Sequence, residues 1–360
     1  MLETIREYAG ERLRDSGEAE GLRTRHADYV LALAEAAFDE YGDPQDPVWF
    51  TRFGDEQDNF RVAMAALVGR RGDGALRMTQ RLWGSWFGHG QLDEGERWVK
   101  LALEAGEDAP LRLRAWMLGI LGEFPRFRGD HARAIPIKEE ALALARSAGE
   151  ERFTKALLCD LASSFALLGD LERARTLVAE ALEIERQSND PRQMRALGAA
   201  AELAERAGDN DEAKRLNQQI VDRLRQVGET GSQYVCAVSS LAESLRRLGD
   251  AGAAPLFVDA LRAAEQAQVF TWVPETLDSV AGVIASRAPE RGAVLMGAAD
   301  AARRETGLVV FDVPEHEAIT RAVRIQLDAE QFEAAWNEGS RKSIAEAIAD
   351  AVDALSARET

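Results

Sequence analysis

The sequence has little of the features that mark catalytic or metal-binding proteins. It contains two cysteines and four histidines, and neither Cys-x-x-Cys nor His-x-x-x-His spacing occurs, which argues against a zinc site. No glycine is followed by lysine and no G-x-S-x-G elbow is present, so the phosphate loop and the hydrolase nucleophile motif are both absent. We therefore predict a protein that is not an enzyme and that carries no cofactor or metal.

Long apolar runs and an excess of basic residues are also missing. No apolar stretch approaches the length of a membrane span and no signal-peptide pattern is recognisable, so we expect a cytoplasmic protein. The formal net charge is −18, from 62 acidic and 44 basic side chains. Such a surface repels the phosphates of nucleic acids and anionic membranes. Aromatic residues make up only 7% of the chain, and the dominance of Ala, Leu, Glu and Arg favours helices.

The sequence does contain an internal repeat. A glycine followed by aspartate recurs at intervals of 39 to 41 residues, at Gly129, Gly169, Gly208 and Gly249. The same period reaches Gly90 and Ala288, and small residues recur five positions after most of these markers. Glycine accepts the left-handed conformation that ends a helix, and the aspartate after it can cap the next helix. The repeat therefore predicts an all-α fold, a right-handed α-α superhelix of about six helix pairs.

The repeat divides the chain into three predicted parts. Residues 1–74 read as helices and a half-repeat, residues 75–306 as the repeat array, and residues 307–360 as a helical cap after the period is lost. A helix at the start of the chain has no capping residue before it, so we expect a junction to a preceding domain, with Leu2, Ile5 and Leu13 packed on a helix near 19–40. The prolines of segment 41–49 predict a loop.

Within the array, the positions Leu121-Gly122, Gly129-Asp130, Ala134 and Ala141 resemble the tetratricopeptide repeat, although that repeat is shorter, about 34 residues. The similarity extends across about 75–306. In such solenoids the first helices of successive units line the concave face, and the resemblance implies that a protein or peptide partner docks there. It places on this face, at 13, 10, 6 and 3 positions before the marker, the residues Arg77, Gln80, Trp116, Glu123, Arg126, Ser163, Arg195, Glu202, Glu205, Ser239, Glu243 and Arg246.

A second resemblance covers nearly the whole chain. The order of the segments MLETIREYAGERL, DEQDNFRVAMAAL and LWGSWFGHGQLDEGERWVKLAL, with the closing segment FEAAWNEGSRKSIAEAIADA, is similar to the C-terminal region of bacterial STAND-class ATPases and LuxR- or AfsR-like transcriptional regulators. The ATPase and DNA-binding domains of those proteins are not in these residues. The resemblance implies a sensor or scaffold that restrains or releases a signalling ATPase.

A different function remains open from the distribution of tryptophan. Four of the seven tryptophans, Trp83, Trp86, Trp98 and Trp116, fall within 34 residues beside Phe87. They either form the core of the first repeats or line an aromatic pocket for a small-molecule effector. The alternative to a protein-interaction module is therefore a small-molecule receptor domain with its pocket near residues 83–116.

Overall fold

The computed structural model describes residues 8, 11–13, 15–41, 54–88, 91–187, 194–306, 309–310 and 312–356. These residues belong to two compact units, residues 1–121 and residues 122–360. The first unit contains α1 (Ala19–Tyr41), α2 (Gln57–Arg70), α3 (Gly74–Gly88), α4 (Leu92–Ala105) and most of α5 (Leu111–Phe127).

The second unit holds the end of α5 and twelve further helices among its described residues. They are α6 (His131–Ser147), α7 (Glu151–Leu167), α8 (Leu171–Gln187), α9 (Arg195–Arg206), α10 (Asn210–Gln226), α11 (Ser232–Arg247), α12 (Ala253–Ala267), α13 (Val273–Ile284), α14 (Pro289–Thr306), α15 (Val313–Arg324), α16 (Ala329–Gly339) and α17 (Ile344–Ser356). From α3 to α14 the helices follow one another as consecutive pairs, and each neighbouring pair from α7 to α14 packs together. The predicted all-helical, tetratricopeptide-like fold is confirmed.

The turns inside the pairs form as the Gly-Asp repeat predicts. Gly129, Gly169, Gly208 and Gly249 have φ of 76°, 85°, 79° and 69°, a region that only glycine enters without strain. The aspartates after the first three each accept a hydrogen bond from the backbone N–H three residues later, at 3.1, 3.2 and 3.1 Å. These bonds satisfy a free amide at the start of the second helix.

The fourth turn differs from this expectation. Asp250 accepts its hydrogen bond from the Gly252 backbone N–H at 2.9 Å, and α12 begins only at Ala253 without a side-chain cap. Because the helix starts late, Ala253 takes the buried position and Ala254, the small residue that the spacing places there, is only half-buried. The extra residues of the AGAA segment are accommodated in the turn.

Small residues allow the helices of a pair to approach closely. Ala134, Ala174 and Ala213 are fully buried where the second helix of each pair faces the first, and Leu161 and Leu241 fill the space between neighbouring repeats. These positions leave little side-chain volume between the two backbones of a pair. The two helices of a pair can therefore pack with their backbones close together.

The C-terminal helices are held to the last repeat by two glycines. Helix α16 crosses α14 so closely that a Cβ atom on Gly339 would lie 1.9 Å from the Val294 carbonyl oxygen, and one on Gly297 would lie 2.2 Å from the Trp336 carbonyl oxygen. Both distances are far below any van der Waals contact, so only glycine fits at either position. Helix α17 then packs on α12, α13 and α14.

Some expectations fall outside the described residues. Leu2, Ile5, residues 42–49 of the predicted loop, and the first marker Gly90 are among them, and Leu13 is described and half-buried. The three predicted domain boundaries stay a prediction. No helix in the described ranges is long and apolar enough to cross a membrane.

The crossing of α14 and α16 yields a stability prediction. Gly339→Ala should lower the free energy of unfolding by about 3 kcal/mol, because the added methyl group forces two backbones apart. Gly198→Ala in α9, where a Cβ atom would meet nothing within 4 Å, is the matched control and should raise stability by about 0.5–1 kcal/mol. Urea denaturation followed by circular dichroism measures both, and equal effects of the two substitutions would contradict the close crossing.

Candidate functional site

The predicted partner-binding residues are divided between the two units. Arg77, Gln80 and Trp116 lie in the first unit, and Arg77 there makes a two-pronged ion pair with Glu35 of α1, with both N–O distances at 2.8 Å. The other nine lie in the second unit, on the surface formed by the first helices of its repeats. We call this surface the first-helix face; it comprises the end of α5 with α7, α9, α11 and α13.

Within the second unit each of these nine side chains has a hydrogen-bond partner: six bond to one another, and Arg195, Glu205 and Ser239 bond to residues that were not predicted. Ser163 of α7 donates to Glu202 of α9 at 2.8 Å, and Ser244 of α11 donates to Glu205 of α9 at 3.1 Å. Other pairs are Ser239 with Thr276, Glu243 with Arg246, Glu123 with Arg126, and Arg195 with Asp160. Most of these bonds join neighbouring repeats, so the face is a fixed polar surface. Their role in binding stays a prediction.

A fully buried lysine lies at the centre of the first group. Lys138 of α6 is 0% exposed, and its ammonium donates to Glu123 at 2.5 Å and to Asp160 at 2.7 Å. Its aliphatic stem passes Gly122, where a Cβ atom would lie 2.6 Å from the lysine Cγ. The glycine thus opens the path by which a second-helix side chain reaches the carboxylates of the first-helix face.

Asp160 is the carboxylate that this group shares. Burial alone would raise the pKa of Asp160, but Arg195, Lys138 and Arg126 together hold it well below its usual value. The carboxylate is therefore ionised across the physiological range. Arg195 remains half exposed, with 53% of its side chain accessible, so one end of the buried group is open to a ligand.

The repeat marked by Gly208 uses an uncharged side chain for the same reach. Asn217 of α10 is buried, and its amide donates to Ser244 at 3.0 Å and to Glu205 at 3.3 Å. Burial raises the pKa of Glu205 to about 7, and Arg247 and the hydrogen bond from Ser244 offset only part of that effect. Glu205 therefore changes protonation state near neutral pH.

Lys138 and Asn217 were not predicted as site residues. Both stand nine positions after the marker glycine of their repeat, where the intervening repeat has the buried Val178. A polar residue at a repeat position that is apolar in another repeat is the sequence signal that could have identified Lys138 and Asn217, because a buried polar group must have a partner.

A second missed group lies at the ends of α9 and α11. We call Arg206, Arg246 and Arg247 the arginine cluster. Only Arg246, which lies three positions before its marker, was among the predicted site residues. Arg206 and Arg247 pair with Asp312 at 3.1 and 3.3 Å, and Arg246 pairs with Glu315. The acidic partners come from the start of α15, in the part of the chain where the repeat period is lost. Their side chains are 25% and 29% exposed.

Among the described residues, neither the two cysteines nor the clusters of acidic and histidine side chains fit nucleophilic or metal chemistry. Burial raises the pKa of Cys159 to about 12 and that of Cys236 to about 11, so both thiols stay protonated and unreactive. No group of three or more His, Cys, Asp or Glu side chains in the described ranges could hold a metal ion.

The tryptophan-rich region of the first unit is packed. Trp86 and Trp98 are buried, and Trp83 makes an edge-to-face contact with Phe87 at a centroid distance of 5.7 Å. The cavity lined by Trp86, Trp98, Phe60 and their neighbours has a free volume of about 20 Å³. That volume holds about one water molecule and is far below the several hundred Å³ of a ligand pocket.

Comparison with known proteins agrees with the repeat architecture. A family model described as "Tetratricopeptide repeat" matches residues 112–187, so the chain carries a tetratricopeptide-repeat region. Among solved structures, a Rap protein complexed with competence and sporulation factor aligns with a TM-score of 0.59 and 15% identity, over 97% of this chain and 98% of that one. At this identity the match shows the fold alone.

Curated relatives add a regulatory context. The chain is 32% identical over 207 residues to "Putative HTH-type transcriptional regulator Rv0890c" of Mycobacterium tuberculosis, and equally similar to a counterpart in Mycobacterium bovis. The alignment takes in 53% of this chain and 22% of the relative, so the chain spans about a fifth of that protein's length. A STAND protein with a tetratricopeptide repeat sensor from Pyrococcus horikoshii aligns at 15% identity over 78% of this chain and 48% of that chain; its TM-score of 0.44 carries no functional conclusion.

The buried lysine yields a second stability prediction. Lys138→Met keeps the aliphatic stem but removes the buried ammonium that Glu123 and Asp160 share, and should cost about 3–5 kcal/mol of unfolding free energy. Lys214→Met removes a lysine that pairs with Asp250 at 3.2 Å on an exposed surface and should cost less than about 1 kcal/mol. Chemical denaturation at pH 7 compares the two, and similar costs would show that Lys138 does not hold the network.

Glu205 yields a prediction on pH dependence. Because its folded pKa of about 7 lies above the ordinary value of 4.5, its contribution to stability is present below pH 4.5 and is lost as pH rises through 7. Glu205→Gln should remove this loss. The substitution should raise the free energy of unfolding at pH 8 by on the order of 2 kcal/mol more than it does at pH 5. Glu212→Gln, at an exposed position in the same repeat, should leave the difference between pH 5 and pH 8 unchanged. Urea titrations at both pH values test this.

Proposed function

We propose that the chain is a non-catalytic interaction module of a bacterial signalling or transcription-regulatory ATPase. The module binds a protein or peptide partner on the first-helix face of the second unit. The observation that carries this proposal is the row of charged and hydroxyl side chains that cross-link α7, α9, α11 and α13. Ser163, Glu202, Glu205 and Ser239 of this row are half-buried and so partly accessible. Such a surface can recognise a partner without first rearranging.

The chemistry of the face favours a ligand with carboxylates and backbone amides. Arg195 and Arg246 are held in place by Asp160 and Glu243, so their remaining N–H groups point in fixed directions. Guanidinium groups bind carboxylates through paired, charge-assisted hydrogen bonds. Side chains that are already ordered lose little conformational entropy on binding.

The similar proteins support the regulatory context. The mycobacterial relatives bear the name of HTH-type transcriptional regulators, and the Rap protein with the same fold was solved with competence and sporulation factor bound. We infer that this chain serves as the sensor or scaffold part of a regulator, in which partner binding is passed to an ATPase outside these residues.

The small-molecule receptor is the weaker candidate. Its predicted pocket near residues 83–116 leaves about 20 Å³ of free volume between buried tryptophans, which is too little for an effector larger than water.

Charge reversal on the face tests the proposed function. A partner that co-purifies with the wild-type chain should bind Arg195→Glu and Arg246→Glu at least about 10-fold more weakly, since each substitution replaces an attraction by a repulsion. Calorimetric titration with the purified partner measures the change. Arg195→Gln serves as a milder variant in case a second acid beside Asp160 prevents folding.

The matched control is Arg225→Glu. Arg225 also bridges two helices through an ion pair, with Asp259 at 3.1 Å, but it lies on α10 and not on a first helix. This variant should keep full affinity. A partner that binds all the arginine variants equally well would contradict the assignment of the first-helix face.

A further inference from the structure

The residues before and at the start of α15 lie across the first-helix face of the second unit. A Cβ atom on Gly129, at the α5–α6 turn, would be 4.0 Å from Val309. Asp312 pairs with the last arginines of α9 and α11, and farther along α15 Ile319 contacts Gly282 of α13. We call residues 309–310 and 312–316 the return segment. It passes the ends of first helices from several repeats, where a partner would have to bind.

We propose that the arginine cluster is a binding site for the acidic start of a partner helix, and that Asp312 and Glu315 of the return segment occupy this site in the absence of the partner. This inference rests on the proposed function, because it names the part of the first-helix face that is used and the chemistry of the ligand. The chain's own segment shows what kind of ligand fits.

Charge balance shows why the cluster requires carboxylates from another segment. Arg206, Arg246 and Arg247 are only 22%, 18% and 20% exposed, so water screens their mutual repulsion poorly. Without the return segment they would face Glu243 and the partly protonated Glu205 as nearby acids. Asp312 and Glu315 supply the missing negative charge.

The spacing of the two acids defines the ligand. Asp312 is the N-cap of α15 and accepts a hydrogen bond from the Glu315 backbone N–H at 3.2 Å, which places Glu315 in the first turn. Helix starts favour acids at these positions, because the free N–H groups and the helix dipole stabilise negative charge. A competing partner therefore needs Asp or Glu at a helix N-cap and again three residues later.

The acidic contact is separate from the apolar contact that holds α15. Ile319 and Val323 are buried against α13 and α14, where Cβ atoms on Gly282 and Gly292 would lie 3.2 and 3.3 Å from them. Asp312 and Glu315 are more exposed than these anchors, with 25% and 29% of their side chains accessible. The start of α15 can therefore be exchanged for a partner segment while the rest of the helix stays in place.

Hydrogen exchange tests whether the return segment occupies the cluster. In Asp312→Asn/Glu315→Gln, backbone amides at 315–318 should exchange at least about 10-fold faster than in the wild type, while those of residues 320–324 should change little. The variant Glu330→Gln/Glu333→Gln on the neighbouring helix α16, where both acids are exposed, is the matched control and should exchange like the wild type. Unchanged protection at 315–318 in the first variant would overturn the inference.

A peptide added in trans tests the ligand chemistry. The probe is a fluorescein-labelled peptide of residues 309–318, VVFDVPEHEA, and its twin carries Asn and Gln in place of the two acids. The acidic probe should bind Asp312→Asn/Glu315→Gln at least about 10-fold more tightly than the wild type, as measured by fluorescence anisotropy at low salt. Adding Arg246→Gln/Arg247→Gln should abolish this gain, whereas adding Arg225→Gln should not.

Equal binding of the acidic probe and its twin, or equal binding to the wild-type and Asp312→Asn/Glu315→Gln chains, would overturn the inference. Circular dichroism melting of each variant identifies any loss of fold. These measurements need no natural partner. A failed search for a partner would therefore count against the proposed function alone, and a failed peptide experiment would count against the arginine cluster alone.

Discussion

The second unit depends on the close crossing of two helices within each repeat. Small residues at the crossing bring the backbones together, so a long side chain from the second helix can reach the opposite surface of the first. Lys138 does this beside Gly122, and Asn217 does it in a later repeat. The polar first-helix face is thus supported from behind by side chains that belong to the core. A larger residue at the crossing would close the path and separate the two layers.

This support gives the face its electrostatic character. Asp160 is buried with cations on several sides and stays ionised, whereas the half-buried Glu205 has fewer cations beside it and takes up a proton near neutral pH. Two carboxylates on the first helices of neighbouring repeats therefore carry different charges near neutral pH. These charged groups interact strongly because they lie in a region of low dielectric. A charged partner would therefore meet a fixed pattern of charges on the face.

Much of the fold could be predicted from the sequence because its cause is local and periodic. The glycine turns, three of the four aspartate caps and the buried alanines follow from residue type and spacing. The late start of α12 was missed, because spacing alone does not show how a turn absorbs an inserted residue. Six of the nine predicted face residues of the second unit bond to one another there, and the other three bond to residues that were not predicted; their role in binding stays a prediction. Asp312 and Glu315 were missed because they lie 65 and 69 residues along the chain from Arg247 and Arg246. The repeat period does not predict contacts at these separations.

The glycine crossing of α14 and α16 has a consequence for competition at the arginine cluster. By fixing the helices on both sides of α15, Gly297 and Gly339 keep the return segment tethered beside the face. A tethered segment acts at an effective concentration in the millimolar range, so a free partner in solution competes with it at a disadvantage. A partner must therefore bind through additional contacts beyond the two acids. Selectivity would then come from those contacts. A free peptide with only the two acids would not displace Asp312 and Glu315 from the arginine cluster.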